Sequence, residues 1–68
     1  MTQAHSMEVQ FSDARAIAEK NGAEVINMTE NENNTNWVNV LCRIGGREFV
    51  ALVTYEETQD GPALWFAY

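Results

Sequence analysis

Two apolar-rich runs, WVNVLCRI and REFVALVTY, flank the pair Gly45-Gly46. Adjacent glycines take the positive φ angles that a tight hairpin turn requires. With that pair as the turn, Ile44 faces Arg47, Cys42 faces Phe49, Val40 faces Ala51 and Val38 faces Val53. Side chains alternate across a strand, so this register sorts them into two faces. One face collects Val38, Val40, Cys42, Ile44, Phe49, Ala51, Val53 and Tyr55. The other collects Trp37, Asn39, Leu41, Arg43, Glu48, Val50, Leu52 and Thr54, with Arg43 directly across from Glu48 as an opposite-charge pair.

Residues Met1–Ser6 are polar and unpatterned and read as a loose tail, leaving 7–68 as a single small domain. Met7, Val9 and Phe11 alternate with Glu8 and Gln10, the pattern of a short strand or extended lead-in. A helix signature follows: Ser12 as N-cap, Asp13 in the first turn, and Asn21-Gly22 as the stop. Ala14, Ile17 and Ala18 form its apolar stripe, while Arg15, Glu19 and Lys20 face solvent and Arg15 can pair with Glu19. The stripe is mostly alanine, so the helix must lie close against its sheet.

Ala23–Thr29 reads as a strand with Ile26 and Met28 on one face. Glu30–Asn36 (ENENNTN) has no apolar residue and reads as a loop, as does Glu56–Pro62 (EETQDGP) with its Asp-Gly-Pro turn chemistry. Ala63–Tyr68 closes the chain as a strand with Leu64, Phe66 and Tyr68 on one face and Trp65 on the other. The predicted fold is α+β: one N-terminal helix packed on a four-stranded antiparallel meander, in the order α-β-β-β-β.

Charge narrows the partners. The 68 residues carry ten Asp and Glu against four Lys and Arg, a net charge of -6. Such a body repels nucleic-acid phosphates and suits a protein partner with a basic surface; the plain reading is that the charge serves solubility. Cys42 is the only cysteine, so an internal disulfide is excluded, and its apolar face makes it a small core residue rather than a nucleophile. No basic, apolar leader pattern opens the chain and no run approaches the ~20 apolar residues of a membrane span, so a cytoplasmic location is expected.

The chemistry of catalysis is missing from the pattern. The single histidine, His5, lies in the tail, away from Cys42 and any carboxylate pair, so neither a triad nor a His/Cys metal site can be assembled. Gly45-Gly46 lacks the lysine and spacing of a phosphate loop, and Glu30-Asn31-Glu32 lacks the spacing of an EF-hand. Neither an enzyme, a metal site nor a cofactor is expected.

A meander places its first and third loops at one end of the sheet. Glu30 and Glu32 then share a rim with Glu56, Glu57 and Asp60, the two loop centres about 10 Å apart, two strand spacings. Asp13 belongs nearby if the helix runs antiparallel to the next strand, while Lys20, Arg43 and Arg47 mark the far end. Read functionally, this acidic rim occupies an Arg/Lys groove meant for phosphates; read plainly, polar loops gather acids by chance. The second feature is the face bearing Trp37, Leu41, Val50, Leu52 and Trp65. One helix covers only one face of the sheet, which leaves an apolar face for a homodimer or another partner. Which face is covered stays open at this level.

A small, acidic, motif-free chain with the rim Glu30, Glu32, Glu56, Glu57 and Asp60 on a helix-plus-meander from Ser12 to Tyr68 resembles the phage-encoded anti-CRISPR proteins. The resemblance is one of format across nearly the whole chain. It implies a stoichiometric inhibitor in the bacterial host that binds a type I CRISPR effector, at a Cas8-type subunit, and blocks DNA or PAM binding by mimicking DNA. Asp13 and Trp37 join the rim as expected contact residues. The competing expectation is a small dimerising module, or an antitoxin-like accessory subunit, that binds through an apolar sheet face.

Overall fold

The computed structural model describes residues 9–68. One helix, α1 (Phe11–Lys20), precedes four strands: β1 (Glu24–Glu30), β2 (Trp37–Ile44), β3 (Arg47–Thr58) and β4 (Gly61–Ala67). The strands form one antiparallel sheet in the order β1-β2-β3-β4. This is the predicted helix-on-meander architecture. The tail and Met7 lie outside the described residues.

The β2–β3 hairpin has the register read from the sequence, from Ile44 opposite Arg47 out to Trp37 opposite Thr54. Gly45 and Gly46 turn it at φ +59° and +81°, a region that costs a residue with a Cβ. The face of Val38, Val40, Cys42, Ala51 and Val53 is the buried one, and α1 lies on it through Ala14 and Ala18, both fully buried. Each fully buried valine contributes about 1.5–3 kcal/mol of hydrophobic stabilisation. The alanine stripe explains the close approach, because a methyl group sets only a short gap between helix axis and sheet. Ile17, Phe49, Tyr55, Leu64 and Phe66 seal the margins of this core.

Four expectations are corrected. Helix α1 starts before Ser12: Gln10 occupies the cap position in an extended conformation without a side-chain cap, and Ala14 N–H donates to its carbonyl at 2.9 Å. Val9, buried in the core, decides where the chain turns into the helix, and this packing overrides the local preference of serine for the cap. Of the short strand and the extended lead-in expected before the helix, the second is found: Val9 is in no strand, Gln10 is extended and Phe11 opens the helix. Arg15 and Glu19 make no ion pair; among the described residues only Arg43 does.

The third correction concerns β1. Val25 stands opposite Cys42 and Asn27 opposite Leu41, so Ile26 is an extra residue in a bulge. Val25 and Met28 therefore share the core face and Ile26 is 42% exposed, in place of the predicted Ile26/Met28 face. The fourth is that β3 does not end at Tyr55. It runs to Thr58, pairing Glu56 with Ala63, Glu57 with Pro62 and Thr58 with Gly61, and only Gln59-Asp60 form the turn. Twelve residues at about 3.4 Å each make roughly 40 Å of strand, which accounts for the 45 Å long axis of the molecule.

Candidate functional site: the acidic end

The acidic end is built on two supports. The first is the β1–β2 loop, in which asparagines replace a regular ladder. Asn33 N–H donates to the Asn31 side chain at 2.9 Å, and Asn36 N–H donates to the Asn34 side chain at 2.8 Å. These side chains act as local turn formers, the property that makes asparagine frequent in loops. Asn31 Nδ2 reaches Asn39 Oδ1 at 3.2 Å, and Trp37 N–H donates to the Asn34 carbonyl at 3.1 Å. Glu30 and Glu32, both exposed, are thus presented from a braced loop. The sequence held this signal in its run of asparagines.

The second support is the distal part of the β3–β4 hairpin. Thr54 pairs with Trp37, the first residue of β2, and Tyr55 N–H still donates to the Asn36 carbonyl at 3.1 Å. Beyond that point β3 has only β4 beside it, so Glu56 to Thr58 and Gly61 to Ala63 form a two-stranded arm. Thr58 Oγ1 donates to the Gly61 carbonyl at 2.6 Å and closes the tip, with Gly61 at φ +113°. Alternation sends the Glu56 side chain to the face away from the helix and Glu57 to the helix side. Asp60 sits in the turn. The arm therefore carries negative charge on both faces and at its tip.

Asp13 joins the same end, in the first turn of α1. It lines an open cleft of about 470 Å³ with Ile17, Lys20, Tyr55, Pro62 and Leu64. Lys20, in the last turn of α1 and shortly before Glu24, which pairs with Arg43, borders the opposite end of this cleft. Burial, and beyond it the negative charge of nearby Glu57, push the Tyr55 phenol above its ordinary pKa. Trp37 is half-buried and borders a smaller cleft with Gln10, Phe11, Glu30 and Thr35, at the end of the sheet where α1 starts. The structure thus brings Glu30 and Trp37 together at the helix start, sets Asp13 in a separate cleft against β3 and β4, and carries Glu56, Glu57 and Asp60 outward on the arm.

The charges are sorted. Arg43 bonds Glu48 at 2.6 Å and Glu24 at 3.4 Å, one cation spanning three strands, and both carboxylates raise its pKa, the Glu48 hydrogen bond most. Asp13, Glu30, Glu32, Glu56, Glu57 and Asp60 make no ion pair with any described residue. Among the described residues no three His, Cys, Asp or Glu side chains are placed to share a metal ion. No described helix is long and apolar enough to cross a membrane.

The sheet face opposite α1 is the second candidate surface. Trp37, Leu41 and Leu52 are half-buried there, and Val50 and Trp65 are 63% and 52% exposed. This settles which face the helix covers: the valine face. No family model, curated protein or solved structure matches the chain.

Proposed function

We propose that the chain is a non-enzymatic acidic inhibitor that occupies a basic, phosphate-reading surface of a protein partner. The supporting observation is the arm of Glu56, Glu57 and Asp60, which extends past the core beside Glu30, Glu32 and Asp13, with none of these acids in an ion pair with a described residue. An arm of strand bearing carboxylates on both faces can enter a groove lined with Arg and Lys, where a rounded acidic surface only touches the rim. Salt-dependent attraction of this kind is how such grooves hold nucleic-acid backbones. The resemblance to anti-CRISPR proteins directs the choice of partner: a type I CRISPR effector, at the Cas8-type subunit that meets DNA and the PAM.

The test is capture of the tagged chain's partners from a bacterial lysate containing type I complexes, at low and high salt. Recovery of a Cas subunit at low salt, lost at high salt and lost with Glu56→Lys/Glu57→Lys, is the expected result. Recovery of only its own untagged copy, insensitive to salt, would sink the inhibitor reading.

A second reading is favoured by the open face of Leu41, Val50, Leu52 and Trp65: a small module, of the accessory-subunit kind, that self-associates. Contiguous exposed apolar surface on a monomer of this size suits an interface.

A further inference from the structure

The two edges of the sheet are built differently. Tyr55 bonds Asn36, the residue just before β2, and the β2–β3 turn closes on Ile44 and Arg47, so the odd-numbered residues of β3 direct their backbone groups to β2. The even-numbered ones serve β4, where Ala63, Trp65 and Ala67 stand opposite Glu56, Thr54 and Leu52 and complete the ladder. The backbone N–H and C=O groups of Leu64 and Phe66 therefore point outward from the sheet. Neither bonds to another described backbone group outside the sheet ladder. An unpaired row of this kind is a template for another strand.

Edge β1 is guarded against such pairing by its bulge at Ile26 and by exposed Glu24 and Glu30. Edge β4 is not. It runs in unbroken register from Gly61 to Ala67, and no charged side chain occurs from Gly61 to Tyr68. Pro62, which has no N–H to offer, interrupts the edge only at its start.

We infer that β4 pairs antiparallel with β4 of a second copy across a two-fold axis, joining two four-stranded sheets edge to edge. The occupant is a second copy because this strand is self-complementary in three respects. An antiparallel pairing sets the outward groups of Leu64 against those of Phe66 of the second copy, twice over. The segment is uncharged, so two chains of net charge -6 meet there without opposing carboxylates. The register that leaves Pro62 outside the bonded centre also brings the two Trp65 rings side by side on the open face. The guarded β1 edges then end the sheet, so pairing closes at two copies rather than growing into a fibre. This inference deepens the self-association reading, naming the edge and not the face, and stands apart from the acidic arm.

Sedimentation of the full chain from micromolar to millimolar concentration, together with residue-resolved amide exchange, tests it. The expected result is a rise in mass from 7.7 kDa to twice that value, with the Leu64 and Phe66 amides slowing about tenfold or more as the dimer forms. Added salt should strengthen the dimer by screening the like charges of the two copies, the reverse of its effect on binding by the arm. Trp65→Lys and Trp65→Glu should each remain monomeric, and an equimolar mixture should recover the dimer; Val50→Asp, on the open face, should still dimerise. A monomer at every concentration overturns the inference, and so does growth into unlimited aggregates. A dimer whose Leu64 and Phe66 amides exchange freely and that is lost in Val50→Asp overturns the edge while leaving the self-association reading standing.

Discussion

Trp37 lies directly across the ladder from Thr54, and β3 continues past that pair through Tyr55 to Thr58. The relationship divides the hairpin into a part that builds the core and a part that carries charge outward. Replacing Glu56 and Glu57 by lysine should therefore leave stability within about 0.5 kcal/mol of the parent chain, as for other exposed sites. Urea unfolding checks this. A large loss would mean that the arm is part of the folding core, and would disqualify the double variant as a probe of binding.

Ile26 and Val25 are neighbours with opposite fates. Ile26→Thr should change stability by no more than about 0.5 kcal/mol, because its side chain is already 42% exposed. Val25→Asp should be strongly destabilising, since it places a carboxylate against Cys42 and the core. Deleting Ile26 keeps Val25 opposite Cys42 and Asn27 opposite Leu41, so the shortened chain should still fold. Denaturation midpoints of the three variants decide the matter.

The helix sits on two methyl groups. Ala18→Leu should cost about 1–3 kcal/mol or more, because the added atoms must push α1 away from the sheet. Val40→Ala, which leaves a hole at a fully buried position, should cost roughly 2 kcal/mol. In a domain of this size a core rarely supplies more than about 3–5 kcal/mol, so circular dichroism should show either variant partly unfolded well before the parent.

Cys42 is buried, and burial raises its thiol pKa above the ordinary value. The folded chain therefore holds the thiol proton more tightly than the unfolded chain does. Stability should be unaffected by this group below the ordinary thiol pKa of about 8.5 and should fall as pH rises past it, until the folded-state thiol also ionises. Tyr55 is raised too and extends the decline to higher pH. Cys42→Ala should flatten the first part of this alkaline loss. Alkylation of Cys42 by iodoacetamide should follow global unfolding; rapid labelling of the native chain would contradict its burial.

Arg43 holds two carboxylates on the open face. Arg43→Ala should lower the denaturation midpoint slightly at low salt, and the difference from the parent should shrink at high salt, because exposed ion pairs are screened. A salt-independent loss would show that the aliphatic stem of Arg43 packs on Leu41 and matters more than its charge.

The hairpin from Trp37 to Tyr55 was legible in the chain because glycine geometry and side-chain alternation constrain the same register from two directions. The stop of α1 at Asn21-Gly22, its alanine stripe and the faces of Leu64, Trp65 and Phe66 were local for the same reason. The acids of the site were visible as residues, but their arrangement was not. Glu56, Glu57, Thr58 and Gln59 read as loop, and become strand and turn only because β4 returns beside them and supplies the partner for each backbone group. The bulge at Ile26 had no signal of its own: alternation favours Ile26 with Met28, and only packing against Cys42 and Val40 selects Val25 with Met28 instead. Likewise Val9, by burying itself, moves the helix start ahead of Ser12. The sequence by itself determined what short-range sterics and period could determine, namely the turn, the register and the number of elements. Which face the helix covers, where the charged arm leaves the core and which edge remains unpaired depend on contacts between distant segments, and only the tertiary structure decided them.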